Sequence, residues 1–153
     1  MNRLLLVFLL IPLSSMPATS AIDSKNWEIR FGIMSVDANG GCSLNNETVK
    51  IPMKLKKSGF RYGFNVKSKN KQSFEGKWIA YLPNSPKETT GDIDLLKPNR
   101  TDEGHVFHFP EQTYIGNWKV CSWFDDGDPT GNWKFEIYID GNLMKTINFE
   151  VVP

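Results

Sequence analysis

The groups able to do chemistry are few, and their spacing limits what they can do. The chain has two histidines, His105 and His108. In a strand, residues three apart point to opposite faces, so these two cannot easily share a metal, and structural or surface roles are expected for both. Asp125, Asp126 and Asp128 fall in "DDGDPTG". Three carboxylates on one turn make the best Ca²⁺ candidate in the chain, because Ca²⁺ takes oxygen donors. The spacing does not match an EF-hand and no bidentate Glu follows, so an acidic turn is the plainer reading. No other metal and no cofactor is expected. No G-x-S-x-G motif supports a serine nucleophile, and "ANGGCS" lacks the Lys and the helix of a phosphate-binding loop. These gaps lean against an enzyme without deciding the matter, and no catalytic residue is assigned.

Cysteine usage depends on compartment. "MNR" precedes the apolar run "LLLVFLLIPL", and the small, polar "SSMPATSA" follows it. A basic start, a short apolar core and small residues at its end make a secretory signal peptide, with cleavage expected after Ala21 or Ser20. The run is shorter than the roughly 20 apolar residues that span a bilayer. Residues 1–21 are therefore read as a signal peptide and residues 22–153 as one exported domain, periplasmic or secreted, with no transmembrane segment. In an oxidising compartment the only two cysteines, Cys42 and Cys121, are expected to pair.

Removing Arg3 from the 18 Lys plus Arg leaves 17 against 17 Asp plus Glu. The charges are unevenly spread. The run from Lys50 to Lys71 has eight basic residues and no acid. Lys50, Lys54, Lys56, Lys57, Arg61 and Lys67 form a candidate patch for an anionic partner. The alternative is a solvated strand face whose lysines discourage edge pairing. Trp78, Trp118, Trp123 and Trp133 are plausible binding anchors, although most should be core. The expected partner is a protein or cell-envelope component, not nucleic acid.

The elements that must position these groups read as strands. Trp27, Ile29, Phe31 and Ile33 share one face of "WEIRFGIM"; Val49, Ile51, Met53 and Leu55 share one face of "VKIPMKL", with Pro52 marking an edge strand. "GFRYGFNVK" alternates Phe60, Tyr62, Phe64 and Val66 against polar or small residues, and "KWIAYLP" is apolar on both faces, as in a central strand. "HVFHF" and "NWKVCSWF" are shorter. In "GNWKFEIYIDGNLMKTINFEVV", Trp133, Phe135, Ile137 and Ile139 face one way, "DGN" makes a hairpin turn, and Leu143, Ile147, Phe149 and Val151 return on one side, with Lys145 breaking the face. "GNWK" occurs at residues 116–119 and again at 131–134, which reads as two strand starts anchored by Trp. "VDANGGCSLNNET" and residues 82–104 read as loops. About eight short strands with Gly, Pro and Asn punctuation predict an antiparallel β-sandwich.

"FGIM", "IPMKLKKSGFRYGFNV", "KWIAYLP" with Pro86 beyond it, and the closing hairpin with its Phe-x-Val ending resemble, in that order, a family of short exported bacterial domains of unknown function. The resemblance covers about Trp27 to Val152; "NWKVCSWFDDGDPT" departs from it. It implies an all-β, immunoglobulin-like antiparallel sandwich of about 7–9 strands, and it brings no catalytic residues. The expectation is a non-enzymatic binding or accessory module of the cell envelope. Two alternatives stand beside it. A carrier of a small apolar ligand would need an aromatic-lined cavity between the sheets. A small hydrolase or lyase would need His105 or His108 and a loop Asp in one pocket.

Overall fold

A computed structural model describes residues 24–87, 99–101 and 105–153. The leader and its cleavage point lie outside these residues, as does most of the stretch from 88 to 104.

Among the described residues eleven strands follow in order: β1 (Trp27–Val36), β2 (Cys42–Glu47), β3 (Lys50–Pro52), β4 (Phe60–Ser68), β5 (Ser73–Tyr81), β6 (Asn99–Thr101), β7 (Val106–His108), β8 (Gln112–Ile115), β9 (Asn117–Ser122), β10 (Gly131–Ile139) and β11 (Asn142–Val152). They form two sheets. One has the order β2-β1-β4-β9; the other runs β3-β11-β10-β5-β7-β6, with β8 pairing β5 beside β7. The all-β sandwich expected from alternation is the architecture observed. The surplus over nine strands comes from three-residue pieces, β3, β6 and β7. The pairing is antiparallel except between β11 and β3.

The alternation works as expected where strands are long. Phe31, Tyr62, Phe64, Val66, Trp133, Phe135, Ile137, Ile139, Ile147, Phe149 and Val151 all join one buried core between the sheets. Full burial of an aromatic or branched aliphatic side chain contributes roughly 1.5–3 kcal/mol. Edge-to-face contacts bind the layers together, such as Phe31 on Phe135 at 5.9 Å and Phe64 on Trp78 at 5.6 Å. β5 is internal to its sheet, as its two apolar faces required.

The closing hairpin turns through Asp140 and Gly141, both at positive φ, which is the two-residue turn that matches strand twist. Register shifts between Ile137 and Tyr138. The shift overturns one expectation: Leu143 pairs with Tyr138 and is exposed, while Met144 packs against the core. Lys145, opposite Ile137, extends its ammonium to the Ile29 carbonyl of the other sheet at 2.7 Å. The polar break in that face is therefore a hydrogen-bonded tie between layers.

Three other segments depart from their sequence reading. "VKIPMKL" is not one strand. It pairs only over Lys50–Pro52, then winds into a 3₁₀ turn over Met53–Ser58 that buries Leu55. β2 and β8 lie where loops or nothing regular had been expected. Both are largely exposed edge pieces with no apolar alternation.

Candidate functional site

On one side the sandwich is not closed by strand pairing. β9 is the edge of the first sheet, and β7 and β8 flank β5 at the corresponding side of the second. Between them lies a cleft of about 490 Å³ that reaches the inter-sheet core. This volume falls in the range of small-molecule sites, roughly 300–1,000 Å³.

Its walls are built by strand parity. Trp118, Val120 and Ser122 point inward from β9; Trp78 and Ala80 do so from β5, and Trp133 and Phe135 from β10. Trp78 stacks on Phe109 at 3.7 Å, with planes 5° apart. Tyr114 of β8 stacks on Trp118 at 5.0 Å. Gly76 makes room for the second pair: a Cβ there would lie 2.8 Å from the Trp118 ring. Burial pushes the Tyr114 hydroxyl up from its ordinary pKa, and that hydroxyl donates to Gln112 Oε1 at 3.3 Å. Rings fixed by stacking and by backbone register offer a preformed apolar surface.

The mouth is shaped by the β1–β2 turn. Asp37 Oδ1 accepts the Asn39 and Gly41 amides, each at 2.8 Å, and Gly40 takes the positive φ that the turn needs. Cys42 is bonded to Cys121, as expected. The two belong to the two edges of one four-stranded sheet, so the bridge does not join the layers as in antibody domains. Flat, those edges would stand roughly 14 Å apart at about 4.8 Å per spacing; the two Cα atoms are 6.4 Å apart. The sheet must therefore coil toward its outer face. Gly32 and Gly63 sit opposite each other in β1 and β4 at that place. A Cβ on Gly63 would overlap the Val120 carbonyl, with its carbon at 2.8 Å; one on Gly32 would overlap the Asn46 carbonyl, with Glu47 Cα at 2.9 Å. Met34 has outer-face parity but is fully buried and lies outside the main core, as this coiling requires. Lys119 adds a second clasp, donating to the Cys42 carbonyl at 2.8 Å.

The remaining candidates are placed as follows. Both Trp residues of the "GNWK" repeat are buried and line the cleft. Trp123 lies outside it, beneath the Arg61 guanidinium at 4.5 Å. His105 accepts the Leu82 amide at its carbonyl, and His108 Nε2 stands 3.4 Å from Thr101 Oγ. Neither lines any of the three main clefts among the described residues. The basic candidates do not share one strand face. Lys50 is on β3, 3.8 Å from Glu150, and Lys54, Lys56 and Lys57 are in the 3₁₀ turn. Arg61 and Lys67 are six residues apart on β4, about 20 Å along an extended strand. On the outer face of the second sheet, Glu136 accepts Tyr81 Oη at 2.8 Å, Tyr138 Oη at 3.0 Å and Lys134 Nζ at 2.8 Å. Burial raises its carboxyl, but these bonds outweigh it and hold the pKa below the ordinary value. The i, i+2 spacing of Lys134, Glu136 and Tyr138 was the sequence signal for this cluster; Tyr81 carried none.

The three acids of the Ca²⁺ candidate lie in the turn that follows β9. Among the described residues no three His, Cys, Asp or Glu side chains are grouped to hold a metal. Asp125 Oδ1 accepts the Trp123 indole N–H at 3.2 Å, and Asp128 Oδ2 accepts the Asp125 amide at 2.9 Å. The acids therefore brace their own turn. Desolvation raises the Asp128 carboxyl to about 6, the Asp125 amide opposes this, and the Asp125 charge adds to it. A raised folded-state pKa favours the protonated form in the fold. That contribution is complete below the unfolded value near 3.8 and is lost as pH climbs to about 6. Asp128→Asn should therefore stabilise the domain by about 1–2 kcal/mol above pH 6, after discount for partial exposure, and by little near pH 4. Melting curves of both proteins across that range check it; parallel curves would show that Asp128 is not strained.

The PM0630 beta sandwich domain model matches residues 29–152. The chain belongs to this beta sandwich family. No curated protein matches it in sequence. An immunoglobulin-like protein from Pseudomonas aeruginosa, known from a crystal structure, is similar at a TM-score of 0.48 and 14% identity, over 82% of this chain and 92% of that one. No helix among the described residues is long and apolar enough to cross a membrane.

Proposed function

We propose that this PM0630-type domain is an exported, non-enzymatic binding module that holds a small apolar ligand between its sheets. One observation carries the reading: the aromatic cleft of about 490 Å³ at the unpaired side of the sandwich. The carrier alternative asked for such a cavity. The hydrolase alternative asked for a histidine and an acid in one pocket, and neither His105 nor His108 lines this cleft or the two smaller ones described. A disulfide accords with an oxidising compartment. The envelope partner expected from the sequence is then the component that delivers or receives the ligand.

The test is a titration of the oxidised domain with N-phenyl-1-naphthylamine, a neutral dye that brightens in apolar sites. Saturable one-to-one uptake is expected. Ala80→Phe, which places a ring in the cleft from near the end of β5, should reduce uptake at least tenfold while the near-ultraviolet circular dichroism stays native. Uptake that is absent in the parent, or unchanged in a folded Ala80→Phe, overturns the reading.

A further inference from the structure

We infer that the ligand of this cleft is an anionic amphiphile, an apolar body ending in one carboxylate, whose head is received by Lys119. The inference rests on the cleft reading above and adds the ligand's polarity to it.

Charge on the lining of the cleft is one-sided, the Asp37 carboxylate of the mouth being turned to the amides of its own loop. Among its described lining residues Lys119 is the only charged one, and none is Asp or Glu. The interior supplies Trp78, Trp118, Trp133 and Phe135, which suit an apolar body and would leave a buried charge without a partner. Charge can therefore be accommodated only at the rim, and the rim supplies a cation. Lys119 alternates with Trp118 along β9, so the ammonium belongs to the outside of the strand whose inner side walls the cleft. Its bond to the Cys42 carbonyl at 2.8 Å holds it beside the mouth. That bond uses one of three N–H donors. No carboxylate among the described residues is within ion-pair distance of it. A ligand carboxylate would accept a charge-assisted bond there; an alcohol of the same length would gain much less, and a cationic head would be repelled.

The experiment displaces N-phenyl-1-naphthylamine with decanoate and, separately, with decanol, at pH 7.5. The parent domain should bind decanoate about tenfold more tightly than decanol, the gain of one charge-assisted bond. Lys119→Gln should abolish the preference by weakening decanoate alone, and Lys119→Arg should keep it. Equal displacement by the two compounds in the parent, or a preference that survives in Lys119→Gln, overturns the inference while leaving the cleft reading intact. If neither compound displaces a bound dye, the inference alone falls; if the dye does not bind, the cleft reading falls with it. A decanoate preference that is lost in Lys119→Arg as well as in Lys119→Gln would show that Lys119 acts through its tie to Cys42, and would also overturn the assignment.

Discussion

Gly63→Ala should destabilise the domain by about 3 kcal/mol or more and leave Cys42 and Cys121 unpaired in a large fraction of molecules. The cause is steric and local. A Cβ at position 63 would overlap the Val120 carbonyl of the adjacent strand. That atom belongs to the backbone and cannot rotate away. Relief requires β9 to move off β4, and β9 carries both Cys121 and the Trp118 and Val120 wall of the cleft. Denaturant unfolding would give the stability change. Alkylation under non-reducing conditions, read by mass spectrometry, would count free thiols. A Gly63→Ala protein with parental midpoint and no free thiol would show that the sheet does not need to coil there.

The double substitution Cys42→Ser with Cys121→Ser should cost about 4.5 kcal/mol, the chain-entropy value for a bridge across 79 residues. For a domain of this size that corresponds to a fall in Tm of about 15 °C. The loss arises chiefly in the unfolded chain, which gains freedom, so the native sandwich should survive with its aromatic circular dichroism intact. The two predictions separate strain from restraint. Gly63→Ala introduces a clash that reducing agent cannot relieve, whereas the serine pair should match the reduced parent in stability. A serine pair as stable as the oxidised parent would mean that the Lys119 clasp and the strand pairing hold the hairpin unaided.

The long strands were legible because one face of each is buried and the other is wet, which writes a period of two into β1, β4, β10 and β11. β2 and β8 carry no such record. They pair on one side only, and their residues, as in "SLNNE", answer to solvent more than to the core. Residues 49–55 kept a period of two in the sequence, yet the chain winds after Pro52, because Leu55 can be buried from a turn as well as from a strand. Lys145 was visible as a break in a pattern, but its partner, the Ile29 carbonyl, is 116 positions away. Of the site, the repeat "GNWK" marked two of the three tryptophans that wall the cleft and the cysteines marked its rim. The cleft itself had no local signature. It is a gap between two edges, produced by the failure of β9 to pair with β8, and no short window of residues encodes a pairing that does not form.

The position of the closing hairpin has a consequence for how such a chain comes to be folded. β10 and β11, residues 131–152, lie between β5 and β3 in the second sheet. β3 must wait for β11, with which it pairs, and although β5, β6, β7 and β8 can pair among themselves, β5 stays an open edge until β10 arrives. A nascent chain lacking these residues can form the β1–β2 and β1–β4 pairs but cannot close the sandwich over its aromatic core. Contacts between positions far apart in sequence also slow folding. Vectorial synthesis therefore leaves the aromatic core uncovered until the last strands emerge.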